Sequence, residues 1–183
     1  MTMKYITLGS ACCVTYQLNK YNLRDEAYPF DWAKINLTQL ITILENNFLN
    51  YDTIIIKKLS DNHNGLLLKN DYNVQFAHEV KSEYELDEFN NKMKNRINRF
   101  NSINEKVTFI RIELTPIKLN FIENINKLCL LLNKYSNNCI LKLIINSDII
   151  FDDLPSNIKI YKFTDYSFEW KMDHIDWYTI FFN

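Results

Sequence analysis

The chain has 183 residues, enough for one domain with a sizeable apolar core, and hydrophobic residues make up 47% of it. Its formal net charge is −1 and its pI about 6.3, so nothing in the charge balance favours binding to nucleic acid or to an anionic membrane. With 2 glycines, the chain lacks the glycine-rich motifs of nucleotide-binding loops, and we expect no cofactor.

The location of the protein is predicted from apolar segments and cysteines. No apolar segment is long enough to span a bilayer, and residues 1–10 lack the apolar block and cleavage site of a secretory signal. The four cysteines show neither CxxC spacing nor a secreted disulfide framework. We therefore expect reduced thiols in a cytoplasmic protein, in the host cytoplasm if the source is a virus.

The stretch 4–18, KYITLGSACCVTYQL, predicts a buried strand that passes into a helix. Gly9 allows a tight turn and Ser10 is a favourable N-cap, which places Cys12 and Cys13 in the first helical turn. The positive end of a helix favours a thiolate and lowers its pKa, and its free amides can hold an oxyanion. The pattern thus indicates a nucleophilic cysteine. The alternative is that both thiols are small buried hydrophobes.

The rest of the chain alternates short apolar runs with amphipathic stretches. In order, we predict a loop at 22–32, a helix capped by Asn36, short strands near 54–56, 66–68 and 73–80, a helix at 87–101, a strand at 107–114, a helix at 121–135, and strands at 139–145 and 158–163. The strand, helix and strand between 107 and 145 indicate a parallel βαβ unit. We expect a single α/β domain over 1–183, a three-layer sandwich with a mainly parallel sheet, onto which the aromatic end at 167–183 docks.

One face of the predicted helix at 87–101 is basic and is expected to be solvated. It carries Lys92, Lys94, Arg96 and Arg99. Either arginine could instead reach an acidic group elsewhere in the fold.

A thiol nucleophile needs a base, and the three histidines are His63, His78 and His174. His63 lies in a polar turn, which favours a solvated loop residue, whereas His78 lies in an extended segment that would hold its imidazole rigidly. The histidines are scattered and lack metal-ligand spacing, so we expect no metal site.

Three stretches resemble a family of bacterial and large-DNA-virus proteins described as papain-like cysteine peptidases. They are LGSACCVTYQLNKYNLRDEAYPFDW, QFAHEV and NRINRF. The matching residues are Leu8, Gly9, Cys12, Leu23, Arg24, Pro29, Phe30, Asp31, Trp32, Phe76, His78, Arg96, Arg99 and Phe100. The resemblance implies that Cys12 is the family cysteine and His78 its histidine, and it offers an α+β papain-like fold as the alternative fold class.

The third member of a Cys-His-Asp site is less defined. Asp31 would orient the imidazole, although it could equally cap a turn, and Asp165 and Asp176 are rivals. Glu79 stands where the family usually has Asp after its histidine.

We therefore expect a cysteine-dependent hydrolase or acyl transferase acting on a peptide, amide or ester. Cys12 is the predicted nucleophile, His78 the general base and acid, and Asp31 the orienting residue. Arg24, Arg96 and Arg99 are candidates for binding a substrate carboxylate or phosphate.

Two other functions are compatible with the sequence. One is a non-enzymatic interaction or effector protein that retains the fold and binds a protein partner. The other is an SGNH-like serine hydrolase, which is disfavoured because no Asp separates Gly9 from Ser10 and because Lys171 stands where an acid should precede His174.

Overall fold

The computed structural model describes residues 3–59, 65–114, 117, 120–137, 139–147, 151, 154–163 and 169–183. Its helices and strands follow the predicted order closely. They are β1 (Lys4–Thr7), α1 (Cys13–Lys20), β2 (Ala33–Lys34), α2 (Leu37–Glu45), β3 (Ile54–Leu59), β4 (Leu66–Asn70), β5 (Gln75–Phe76), α3 (Leu86–Asn101), β6 (Val107–Glu113), α4 (Phe121–Leu132), β7 (Ile140–Ile145), β8 (Ile158–Lys162) and α5 (Trp177–Phe182), with a short 3-10 helix at Glu83–Glu85 directly before α3.

Four of the strands form a parallel sheet in the order β1-β6-β7-β8. β6, α4 and β7 follow one another in the chain, and β6 and β7 pair in parallel, with Arg111 opposite Leu143. The predicted parallel strand-helix-strand unit and the mixed α/β class are thereby confirmed. Because parallel strands all end at one edge, β1 delivers the cysteine turn to the same edge at which β6 ends.

The other four strands form a separate antiparallel sheet in the order β2-β5-β4-β3. The hairpin of β3 and β4 confirms the two predicted apolar strands, while its connection at 60–64, with His63, lies outside the described residues. The sequence did not indicate this sheet, because β2 and β5 contribute only two residues each. The extended segment predicted at 73–80 is correspondingly shorter, and His78 lies just beyond it.

Alternate residues of β6 belong to two different apolar clusters. Val107 and Phe109 join the larger cluster, which includes residues of α2, α3 and α4, whereas Ile110 and Ile112 join a smaller cluster with residues of α1 and α5. The parallel sheet therefore buries apolar side chains on both faces, as near-continuous hydrophobic strands do.

The loop at 22–32 is anchored by its aromatic residues. Phe30 is fully buried, stacks on Phe48 with ring centroids 5.5 Å apart and meets Phe100 edge-on at 5.7 Å. The hydroxyl of Tyr51 donates a hydrogen bond of 3.0 Å to the Pro29 carbonyl oxygen. The PFDW and RxxRF segments thus share one packing cluster.

The aromatic end of the chain packs on the body, as predicted. Trp177 and Phe181 of α5 are buried, and the Lys142 ammonium donates a 2.5 Å hydrogen bond to the Ile180 carbonyl oxygen. A lysine at this position satisfies a carbonyl that has no partner inside the helix. In the part of the chain that the structure describes, no helix has the length and apolar character needed to cross a membrane.

The turn between β1 and α1 is built on two residues in the left-handed region, Gly9 with φ of 72° and Ser10 with φ of 81°. A Cβ atom on Gly9 would lie 2.3 Å from Cγ2 of Ile35. The helix N-cap is Cys12 and not Ser10, so the predicted cap is wrong. The two left-handed residues let the chain reverse within three positions after Leu8.

Gly9→Ala should destabilise the fold by at least about 2 kcal/mol, because it adds both backbone strain and a steric clash. Urea unfolding measures the loss. The matched variant Gly9→Ala/Ile35→Ala removes the colliding Cγ2 atom and should be more stable than the sum of the two single effects predicts. Strict additivity in this double-mutant cycle would contradict the close contact.

Candidate active site

Cys12 stands at the start of α1, directly after the left-handed turn that ends β1. Its side chain is partly exposed, whereas Cys13 is fully buried in the smaller apolar cluster. Open α/β sheets bind ligands outside the carboxyl ends of their strands, and Cys12 lies at this edge. Of the two adjacent thiols, Cys12 is the one that a substrate can approach.

The backbone of Trp32 is fixed against the start of α1. Cys12 Sγ donates a hydrogen bond of 3.7 Å to the carbonyl oxygen of Trp32, and the Trp32 amide donates one of 3.4 Å to Oγ1 of Thr15. Trp32 itself has a left-handed φ of 57°. These bonds hold the PFDW segment next to the thiol.

The indole of Trp32 also contacts the imidazole of His78. Their ring centroids are 6.3 Å apart in an edge-on arrangement, with an interplanar angle of 72°. Cys12 and His78, which are far apart in the sequence, therefore both touch Trp32, the first at its carbonyl and the second at its ring. This shared neighbour brings the predicted nucleophile and base into one region.

The pKa of the Cys12 thiol is raised to about 11, first by burial and then by the negative charge of Glu79. The prediction that the start of the helix lowers this pKa is wrong, because desolvation outweighs the amides. The resting thiol is protonated at neutral pH. Since the folded protein holds this proton more tightly than the unfolded chain, the Cys12 contribution to stability is lost as the pH rises from 9.0 towards about 11.

Asp31 is buried at 2% exposure and is paired with Arg24. Its Oδ2 atom accepts hydrogen bonds from Nε and Nη2 of Arg24 at 2.9 and 2.7 Å and from the Tyr28 amide at 3.1 Å. Burial raises the pKa of Asp31, and the charges of Arg24 and Arg96 act against that rise. Its expected role in orienting His78 stays a prediction.

Arg96 is 9% exposed and forms a two-pronged ion pair with Glu79, at 2.6 and 3.0 Å. The prediction that Arg96 lies on a solvated helix face is wrong, and the alternative that it reaches an acidic group elsewhere is confirmed, since Glu79, the residue after His78, holds its guanidinium. This ion pair links α3 to the bend that contains His78.

Arg99 holds the loop at 22–32 through two contacts. Its Nη1 atom donates to the Ala27 carbonyl oxygen, and its Nε atom lies 3.0 Å from a carboxylate oxygen of Glu26. The guanidinium groups of Arg24, Arg96 and Arg99 are thus each paired with an acid of the chain. A substrate-binding role for them stays a prediction.

His174 and Asp176 have contacts of their own. His174 packs near Phe163, with ring centroids 6.4 Å apart, and the Asp176 carboxylate caps α5 by accepting a 3.0 Å hydrogen bond from the Thr179 amide. Asp165 lies outside the described residues. Among the residues that the structure describes, no three His, Cys, Asp or Glu side chains are grouped to hold a metal ion.

Sequence reasoning missed Arg111, which lies fully buried beneath the cysteine turn. Its guanidinium donates to the carbonyl oxygens of Leu8 at 2.8 Å and Ile35 at 3.2 Å, and it pairs with Glu113 at 2.5 Å. The sequence does contain an indication of this pair. Arg111 and Glu113 are two residues apart in an apolar strand, so their opposite charges lie on the same face.

The sequence of residues 3–148 matches the family described as "Putative papain-like cysteine peptidase". The chain belongs to this family. Cys12, Trp32 and His78 all lie within the matched region.

The chain is also similar to an uncharacterised protein of Acanthamoeba polyphaga mimivirus, with 28% identity over 217 aligned residues. That alignment covers 98% of this chain and 97% of the viral protein. No solved structure matches the chain.

Glu79→Gln should speed the alkylation of Cys12 by iodoacetamide between pH 8 and 10, because removing the nearby negative charge lowers the thiol pKa. Peptide mass spectrometry measures the rate at each pH, and circular dichroism checks that the variant is folded. Glu83→Gln, at an exposed position, is the matched control and should behave as the wild type. Equal rates in all three proteins would contradict an electrostatic effect of Glu79.

Arg111→Met should reduce the free energy of unfolding by about 3–5 kcal/mol, because it leaves a buried carboxylate and two carbonyl oxygens without their donor. Urea unfolding measures this loss. The exposed variant Lys106→Met should stay within about 0.5 kcal/mol of the wild type. A similarly small effect at Arg111 would show that the guanidinium does not stabilise the turn.

Proposed function

We propose that this protein is a cysteine-dependent hydrolase or acyl transferase of the papain-like peptidase type, with Cys12 as nucleophile and His78 as general base and acid. The observation that carries the proposal is that the thiol of Cys12 and the imidazole of His78 contact opposite ends of Trp32. Family membership supports the same reaction class.

The raised pKa of Cys12 suggests how the reaction begins. As the sulfur attacks the substrate carbonyl carbon, the imidazole of His78 accepts the thiol proton, so a free thiolate need not accumulate. The carbonyl oxygen becomes an oxyanion, which backbone amides in the first turn of α1 would hold.

The leaving group then departs with the proton that the imidazolium returns, and the acyl group remains on sulfur as a thioester. In a hydrolase, water attacks this thioester, while His78 takes the water proton and returns it to the Cys12 sulfur. In a transferase, another nucleophile takes the place of water. Asp31 would orient the imidazole through the buried charges around it, which include Arg96.

The substrate class is a peptide, amide or ester, with an anionic group recognised by an arginine. Arg99 is the most accessible of the three candidates. Its side chain is 34% exposed, whereas those of Arg24 and Arg96 are 21% and 11% exposed. An incoming carboxylate or phosphate would replace Glu26 on its guanidinium.

We also propose a single three-layer α/β domain as the fold class and the cytoplasm as the location. A single three-layer α/β domain is supported by the two apolar clusters that involve alternate residues of β6. Four free cysteines favour a reducing compartment such as the cytoplasm, the host cytoplasm for a viral protein.

The competing function is a non-enzymatic interaction protein. The raised pKa of Cys12 favours it, because a protonated and largely buried thiol is also what an inert cysteine would show. The two functions differ in whether His78 changes the reactivity of Cys12.

A peptidyl acyloxymethyl ketone, an electrophile directed at catalytic cysteines, should label Cys12, and Cys12→Ser should abolish the labelling. His78→Asn should slow labelling by about 100-fold or more, since the general base is lost. His174→Asn, at an exposed position, is the matched histidine control, and its Cys12 should be labelled at the wild-type rate.

Mass spectrometry of the labelled peptides gives the site and the rate. Labelling that is unchanged in His78→Asn, or that occurs only after denaturation, would reject the enzyme and favour the interaction protein.

A further inference from the structure

The antiparallel sheet carries a row of three polar side chains across its short strands. Lys34 of β2 is opposite Gln75 of β5, and Gln75 is opposite Lys69 of β4. The adjacent row, made of Ala33, Phe76 and Leu68, is buried in the apolar core. Because neighbouring residues of a strand point to opposite faces, the Lys34-Gln75-Lys69 row lies on the face away from that core.

A recess of about 360 Å³ opens at this row. Its wall also includes Asn36 and Asn73, and the lining holds two cations and no acidic residue. Within the described residues, neither Lys34 nor Lys69 forms an ion pair. These lysines differ from Arg24, Arg96 and Arg99, whose charges are already paired.

The spacing of the two lysines suits a small anion between them. Adjacent strands lie about 4.8 Å apart, so residues two strands apart are separated by about 10 Å, a gap that two four-carbon lysine stems can close from both sides. Two ammonium groups match the charge of a dianion better than that of a monoanion.

Neutral donors complete the recess. The capping box of α2 uses Oδ1 of Asn36, which accepts from the Gln39 amide at 2.8 Å, so the Nδ2 group of Asn36 is left as a donor. The side-chain amide of Gln75 lies between the lysines. Amide donors alongside lysine charges are a common arrangement for a phosphate group.

We propose that the recess bounded by Lys34, Gln75 and Lys69 is a binding site for the dianionic phosphate group of a phosphate monoester. This inference does not depend on the thiol chemistry of Cys12. The two sites are close in the chain, since Lys34 follows Trp32 by two residues and Gln75 precedes His78 by three.

The test is a titration of the full-length, isotope-labelled protein with inorganic phosphate and with phenyl phosphate, followed by amide NMR at pH 7.5 and constant ionic strength. Both ligands should give saturable shifts at Lys34, Lys69 and Gln75. Acetate, a monoanion, should bind at least about tenfold more weakly.

Lys34→Ala and Lys69→Ala should each weaken phosphate binding about tenfold, because each removes one charge-assisted hydrogen bond. Lys57→Ala is the matched control, an exposed lysine of β3 in the same sheet, and should bind as the wild type. Cys12→Ser should also bind normally, which separates this inference from the proposed catalysis. Shifts that do not saturate, equal binding of acetate, or equal weakening by Lys57→Ala would overturn the proposal.

Discussion

The buried guanidinium of Arg111 holds together the parts of the chain that form the candidate active site. It donates to the last carbonyl before the turn, that of Leu8, and to the carbonyl of Ile35, the residue that packs over Gly9. Five donors in a fixed planar group can serve several acceptors at once, which a lysine could not do. The position of Cys12 at the carboxyl edge of the parallel sheet therefore depends on a charge in the middle of an apolar strand, compensated by Glu113.

A second set of ion pairs, each with one buried member, links the motifs to one another. The Arg24–Asp31 pair joins two parts of the loop at 22–32. The Arg96–Glu79 pair joins α3 to the bend after β5. Each pair is neutral overall, which limits the cost of burial, yet single charges still act on their neighbours. The negative charge of Glu79, added to burial, keeps the Cys12 thiol protonated at rest. A reaction at this site needs a base at the moment of attack, and His78 is the imidazole that shares Trp32 with the thiol.

The antiparallel sheet gives the protein two kinds of surface. On one face, Phe76 and its neighbours complete the core against which the PFDW segment packs. On the other, lysines whose charges are not compensated by described acids border a recess. The strands that present Lys34 and Gln75 to the recess continue into Trp32 and His78, so a ligand in the recess and a substrate at Cys12 would contact adjacent parts of the same short segments.

The sequence by itself determined the main elements, because apolar periodicity and capping are local: the β1 strand, the α3 stripe and the Asn36 cap of α2 are where the pattern puts them. It also indicated Cys12 and His78 as candidates through the family motifs. Only the tertiary structure decided the environment of each group. Contacts between residues distant in the chain produce the burial of Arg96, the raised pKa of Cys12 and the antiparallel sheet. Local periodicity does not predict such contacts.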